Sequence, residues 1–183
     1  MDHHVIATST LPRLTLALGG AASGKSRLAE NLIVASGLHP MYVATAEARD
    51  GEMAAKISRH RERRGTAWRT LEAPFDLAGA LAGATRDEAV LVDCLTMWLT
   101  NHLLAGHDPA IECDRLLAAL AACPAPVVAV TNEVGQGIVP ENALSRRFRE
   151  AQGALNQRVA GEAGLVVAVM AGLPLVLKGR LPE

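Results

Sequence analysis

The sequence predicts a single α/β domain with a mainly parallel β-sheet flanked by helices, and three observations carry that prediction. Apolar runs of strand length alternate with helical patterns along the 183 residues, and strands separated by helices need crossover connections, hence parallel pairing. Half of the residues are hydrophobic but only 3% are aromatic, so the core is aliphatic, as suits strands covered on both faces. Near the start, a short apolar strand runs through a glycine-rich turn into an amphipathic helix, "LALGGAASGKSRLAE" at 16–30.

The elements follow in order. "RLTLAL" (13–18), "MYVAT" (41–45), "AVLVDCL" (89–95), "PVVAVTN" (126–132) and "LVVAVM" (165–170) read as buried strands, with shorter runs "WRTLE" (68–72) and "PLVLK" (174–178) beside them. Helical patterns fill 25–36, 50–64, 76–84, 96–105, 109–122 and 141–163. Gly37 and Gly65 stand where left-handed helix ends belong. No repeat, low-complexity tract or linker divides the chain. Functional residues are expected at the C-terminal ends of the strands.

Composition narrows the function. A formal net charge of −1 creates no global field for nucleic acid or an acidic membrane. Cys94, Cys113 and Cys123 lack the paired spacing of a zinc site and read as buried thiols in a reducing compartment. "MDHHVIATSTLPR" has neither the basic flank nor the apolar run of a signal peptide. "LVVAVMAGLPLVL" (165–177) is interrupted by Gly172 and Pro174 and is too short for a membrane span. A cytoplasmic protein is expected.

The turn itself is the first functional signal. Gly19, Gly20, Ala21, Ala22, Ser23, Gly24, Lys25 and Ser26 fit the phosphate-loop pattern G-x4-G-K-[ST] in full. Glycines let successive amides curl toward phosphate oxygens, the lysine reaches the β and γ phosphates, and the Ser26 hydroxyl can bind Mg²⁺. Asp93 closes the apolar strand "AVLVD", where a second Mg²⁺ carboxylate belongs; a strand-end or helix-capping aspartate would look the same.

The second signal is "GEMAAKISRHRERRG" at 51–65. Met53, Ile57, His60 and Arg64 share one helix face, and Lys56, Arg59, Arg61, Arg63 and Arg64 crowd around His60. Basic side chains favour a helix C-terminus, which accounts for the cluster structurally. Guanidinium groups around an imidazole also favour its neutral, nucleophilic form and can clamp a triphosphate, so attack of His60 on an α-phosphate is chemically open.

Together these segments resemble a known family. "GGAASGKSRLAE", "YVATAEA", "DGEMAAKISRHRERRGTAWRTLE", "VLVDCLTMWLTN" and "VTNEVGQGIVPENALSRRFREAQGALNQRVA" are similar, in order, to the motifs of the bifunctional adenosylcobinamide kinase / adenosylcobinamide-phosphate guanylyltransferases of cobalamin biosynthesis. The resemblance implies a RecA-like P-loop fold, a homotrimer and two reactions. ATP or GTP phosphorylates adenosylcobinamide; GTP then guanylylates a histidine, and the guanylyl group passes to adenosylcobinamide phosphate, giving adenosylcobinamide-GDP. It implies His60 as the guanylylated residue and Lys25 as the phosphate-loop lysine. Further nucleotide contacts fall on Ala44, Thr45 and Ala46, on Arg61, Glu62, Arg63 and Arg64, on Glu72, a candidate acceptor for guanine N–H groups, and on Asp93. Ser26 and Asp93 would hold Mg²⁺, and Glu133 falls near the substrate.

The family loop commonly carries arginine where this chain has Ala22, so weaker nucleotide affinity with retained activity is expected. Residues 1–12 lie outside the resemblance and are expected to form a flexible extension to a domain spanning 13–183. Two other readings stay open on the residues alone. One is a plain small-molecule kinase that uses only the phosphate loop. The other is a nucleotide switch, although "TNEVG" lacks the lysine of a guanine-reading N/T-K-x-D.

Overall fold

A computed structural model of the protein describes residues 10–47 and 67–182. The order of elements is β1 (Leu14–Gly19), α1 (Lys25–Ala35), β2 (His39–Ala44), β3 (Arg69–Glu72), α2 (Leu77–Ala82), β4 (Glu88–Asp93), α3 (Leu95–Leu104), α4 (Pro109–Ala122), β5 (Val127–Asn132), α5 (Ala143–Glu162), β6 (Leu165–Met170) and β7 (Leu173–Lys178). The expected elements among the described residues are all present, with ends that agree or differ by one or two residues. The expected helix at 50–64 and the cap at Gly65 lie outside the described residues.

The strands form one seven-stranded sheet in the order β3-β2-β4-β5-β1-β6-β7. The pairs from β3 to β6 are parallel, and only β7 runs antiparallel, joined to β6 by a hairpin. Period-two alternation sorts the side chains into two layers. Leu14, Leu16, Val90, Val92, Val127 and Ala129 face the cluster built with α2, α3, α4 and α5, whereas Ala17, Leu91, Val128 and Val130 face Ala29, Leu32 and Ile33 of α1. Both faces of the central strands are therefore dry, which explains their nearly continuous apolar runs. Leu11, just ahead of β1, packs partly buried against the α1-side cluster. No helix among the described residues is long and apolar enough to cross a membrane.

Parallel direction sends the C-terminal ends of β1 through β6 to one edge of the sheet, and register aligns them there. Glu72, Ala44, Asp93 and Val130 occupy one row across β3, β2, β4 and β5, and Gly19 pairs with Asn132 farther along. Strand β5 separates β1 from β4. The loop after β1 and the acid at the end of β4 thus flank a single intervening strand.

Candidate active site

The phosphate loop is built by backbone geometry that its sequence permits. Gly19 ends β1 where a Cβ would stand 2.5 Å from the Val169 carbonyl oxygen and 2.7 Å from Ser23 Oγ, so nothing larger fits. Ser23 N–H donates to the Gly20 carbonyl at 3.3 Å, and Gly24 turns the chain into α1 with φ 97°. Ala22 also has positive φ, 55°, a conformation that costs an L-residue about 1–2 kcal/mol. Lys25, almost wholly buried, folds back and donates from Nζ to the Gly20 carbonyl at 2.9 Å.

The starts of α1 and α3 lack the side-chain cap that the other described helices have. Asp76, Asp108 and Asn142 cap α2, α4 and α5 with their own side chains, whereas Gly24 offers α1 no side-chain cap. The N-terminal amides of α1 and its positive dipole end are thereby left for an anion. Ser23 Oγ, buried in the same loop, has no protein partner among the described residues. These are the donors a phosphate-binding loop offers.

The β6–β7 hairpin supports the cradle from the side. Its two turn residues, Ala171 and Gly172, have φ of 51° and 79°, as a type I′ turn requires. Gly172 N–H donates to the Ser23 carbonyl at 2.8 Å. The contact is so close that a Cβ on Gly24 would sit 3.1 Å from Gly172 Cα.

Asp93, at the end of β4, is half-buried at the same edge. The adjacent Cys94 thiol feels both the Asp93 carboxylate and the Lys25 ammonium, and burial pushes its pKa up to about 11. Cys94 is therefore an inert thiol. Ser26, half-buried in the first turn of α1, supplies a hydroxyl. Serine hydroxyl and carboxylate are the hard oxygen donors that suit Mg²⁺.

Ala44 ends β2 between Glu72 and Asp93. Ala46 is half-exposed in the loop that follows, and Glu72 is exposed at the end of the edge strand β3. Between Ala44 and Ala46, the Thr45 side chain is engaged with the protein backbone. It is fully buried, and its hydroxyl donates to the Cys94 carbonyl at 2.7 Å and accepts from Cys94 N–H at 2.8 Å. Its N–H donates to the Asp93 carbonyl, and its own carbonyl accepts from Asn101 Nδ2 at 2.9 Å. Thr45 clamps the β2 loop to the start of α3, across the Asp93–Cys94 peptide, which is cis. His60, Arg61, Glu62, Arg63 and Arg64 lie outside the described residues.

A buried polar network holds the other side of the edge. Gln152 Nε2 donates to Thr131 Oγ1 (2.9 Å), Thr131 Oγ1 donates to Asn156 Oδ1 (2.7 Å), and Asn156 Nδ2 donates to the Asn132 carbonyl (3.1 Å). Thr96 Oγ1 accepts from Asn132 N–H at 2.8 Å. These contacts fix the end of β5, from which Glu133 N–H reaches the Gly19 carbonyl at 3.1 Å. Gln152, Asn156 and Thr96 escaped the sequence reading. For Gln152 and Asn156 the signal was a polar pair at i, i+4 beside the apolar Leu155 and Val159 on α5.

Comparison with known proteins bears on the family and the fold. The chain is 48% identical to the bifunctional adenosylcobalamin biosynthesis protein CobP of Pseudomonas aeruginosa, covering 90% of this chain and 97% of that one. It is 43% identical to the corresponding CobU protein of Salmonella typhimurium, covering 90% and 99%. Among solved structures, the flagellar accessory protein FlaH of Methanocaldococcus jannaschii superposes with a TM-score of 0.51 at 11% identity, over 93% of this chain and 80% of that one. A type III secretion ATPase gives 0.51 at 13% identity, over 91% and 57%. These two likenesses concern the fold, a RecA-like P-loop domain. With residues 15–177 matching the family of cobinamide kinase / cobinamide phosphate guanyltransferase, the chain belongs to that family.

Proposed function

We propose that the chain catalyses both reactions its family is named for, phosphorylating adenosylcobinamide and then converting adenosylcobinamide phosphate to adenosylcobinamide-GDP. The observation that carries this reading is the match over residues 15–177, which spans both the phosphate loop and the His60 cluster. A plain kinase would need only the former.

In the first reaction the loop from Gly19 to Ser26 binds the triphosphate of ATP or GTP through its amides and the uncapped start of α1. Lys25 leaves the Gly20 carbonyl for the β and γ phosphates and offsets charge as the γ-phosphoryl group moves to the corrinoid hydroxyl. Mg²⁺ held by Ser26 and Asp93 would neutralise phosphate charge. In the second reaction an imidazole nitrogen of His60 attacks the α-phosphorus of GTP and pyrophosphate leaves. The phosphate of adenosylcobinamide phosphate then attacks the same phosphorus, releasing the histidine. Arg61, Arg63 and Arg64 clamp the phosphates, with Glu62 among them. Glu72 accepts from the guanine N–H groups, and the loop at 44–46 lines the pocket on its Thr45 anchor.

The same reading makes the protein a cytoplasmic homotrimer. Strand β7 supports an oligomer. It is an edge strand of the sheet among the described residues, and its Leu173, Leu175 and Leu177 are 70%, 55% and 57% exposed, a surface that a second copy would cover.

The test is incubation of the protein with Mg²⁺ and GTP labelled at the α-phosphate. Wild type should retain an acid-labile, alkali-stable label that His60→Ala lacks. Absence of label on both would leave a plain kinase, and γ-phosphate transfer to adenosylcobinamide would then identify it.

A further inference from the structure

A cluster outside the phosphate edge has the makings of a metal site. Helix α3 ends in a Schellman turn: His107 N–H donates to the His102 carbonyl at 3.0 Å and Gly106 N–H to the Leu103 carbonyl at 3.1 Å, with Gly106 left-handed at φ 79°. This turn brings the side chains of its two ends together, usually as an apolar pair. Here both are imidazoles, with Nδ1 to Nδ1 at 2.8 Å. The first turn of α4 adds Glu112, whose Oε2 lies 3.7 Å from His102 Nδ1. One ligand atom from each of the three residues falls within 4.8 Å of the others.

The surroundings fix which nitrogen of His102 is available. Its Nε2 stands 3.3 Å from the Phe75 carbonyl, an acceptor only, so the ring proton sits on Nε2 and the Nδ1 lone pair points to His107 and Glu112. A backbone carbonyl that orients an imidazole in this way is the usual outer partner of a metal-bound histidine. The rings of Trp98 and Phe75 pack edge-on against His102 and hold its plane. Burial lowers the His102 pKa, so the approach of Glu112 is not an ion pair with that ring. Arg115 pairs with Glu112 from outside at 2.8 Å. In the protein alone, His107 Nδ1–H donates to His102 Nδ1. Metal binding needs His107 to carry its proton on Nε2 instead, which frees both Nδ1 lone pairs, and a small separation of the two rings.

We propose that His102 Nδ1, His107 Nδ1 and Glu112 Oε2 form a binding site for a divalent transition-metal ion of the zinc class. Two nitrogens and one carboxylate oxygen favour such an ion over Mg²⁺. Nitrogens 2.8 Å apart can share an ion at about 2.1 Å with an angle near 85°, and a further separation of about 0.6 Å makes the angle tetrahedral. His107 is exposed, so water can complete the coordination and the ion can enter without unfolding α3.

The experiment titrates Zn²⁺ into metal-free full-length protein by calorimetry, with wild type, His107→Ala and Glu112→Gln in parallel. Wild type should bind one equivalent that each variant binds about tenfold or more weakly, and Zn²⁺ should raise the wild-type melting temperature more than that of either variant. Co²⁺ in place of Zn²⁺ should give visible absorption that His107→Ala lacks. Both substitutions spare the buried His102, and unchanged circular dichroism verifies their folding. Superimposable Zn²⁺ titrations of wild type and both variants, whether through binding elsewhere or no binding, would overturn the proposal and leave a hydrogen-bonded histidine pair only.

Discussion

The amide of Gly172, at the tip of the β6–β7 hairpin, donates to the carbonyl of Ser23 inside the phosphate loop at 2.8 Å. The nucleotide cradle is therefore braced by the far end of the chain as well as by β1 and α1. Gly172 has φ 79°, and a Cβ there would lie 3.3 Å from Arg27 Nη2. Replacing it by alanine should cost about 1–2 kcal/mol, or roughly 2–8 °C in melting temperature. The loss should extend to nucleotide affinity, because the strain is delivered to the loop. Melting curves with and without GTP check this. An equal shift in both would mean that the hairpin does not brace the cradle.

Lys25 makes a separable prediction. Its ammonium is tied to the Gly20 carbonyl, so Lys25→Ala removes one local hydrogen bond worth about 1 kcal/mol to the fold. Its electrostatic role toward developing phosphoryl charge is worth far more, and loss of such a group lowers kcat by about 10² to 10³. Steady-state assay of adenosylcobinamide phosphorylation, beside a denaturant melt, should show a near-normal fold with a collapsed rate. An unchanged rate would remove Lys25 from the mechanism.

Much of this was legible in the sequence, for a physical reason. The strands of a doubly covered parallel sheet must be apolar on both faces, so "AVLVD" and "VVAVTN" announced β4 and β5. The phosphate loop was legible because its residues act through their own backbone. The clamp made by Thr45 was not legible, because a threonine after a strand looks the same whether its hydroxyl faces solvent or, as here, the Cys94 backbone. His102 and His107 gave no sign because neither helical nor strand periodicity brings i and i+5 together; a Schellman turn does.

The Thr45 clamp can be tested directly. Thr45→Val keeps the shape but leaves both Cys94 backbone groups without the hydroxyl, which should cost about 1–3 kcal/mol. Thr45→Ser restores the hydroxyl and should recover most of the loss. Denaturant unfolding of the three proteins checks this. If Thr45→Val unfolds like wild type yet binds GTP poorly, the hydroxyl serves the ligand instead.

Glu88 should make stability depend on acid pH. Arg69 donates to it twice, from Nε at 2.7 Å and Nη2 at 2.9 Å, and Thr85 adds its N–H and hydroxyl. The bond from Arg69 is the largest influence holding the Glu88 carboxyl below its ordinary pKa, with burial opposing it. A carboxylate whose pKa is depressed by folding stabilises above its unfolded pKa, and that stabilisation fades as pH falls through the folded one. Half of the arginine is exposed to water, which screens the pair, so Glu88→Gln should cost about 2 kcal/mol at pH 7, mostly through weakened hydrogen bonds. The gap between wild type and Glu88→Gln should narrow as pH drops below the normal carboxylate range, because the wild-type side chain then also becomes neutral. Unfolding curves of both proteins across the acid range read this directly. A gap that stays constant with pH would mean that the Glu88 charge contributes nothing and that only its shape and hydrogen-bond acceptors matter.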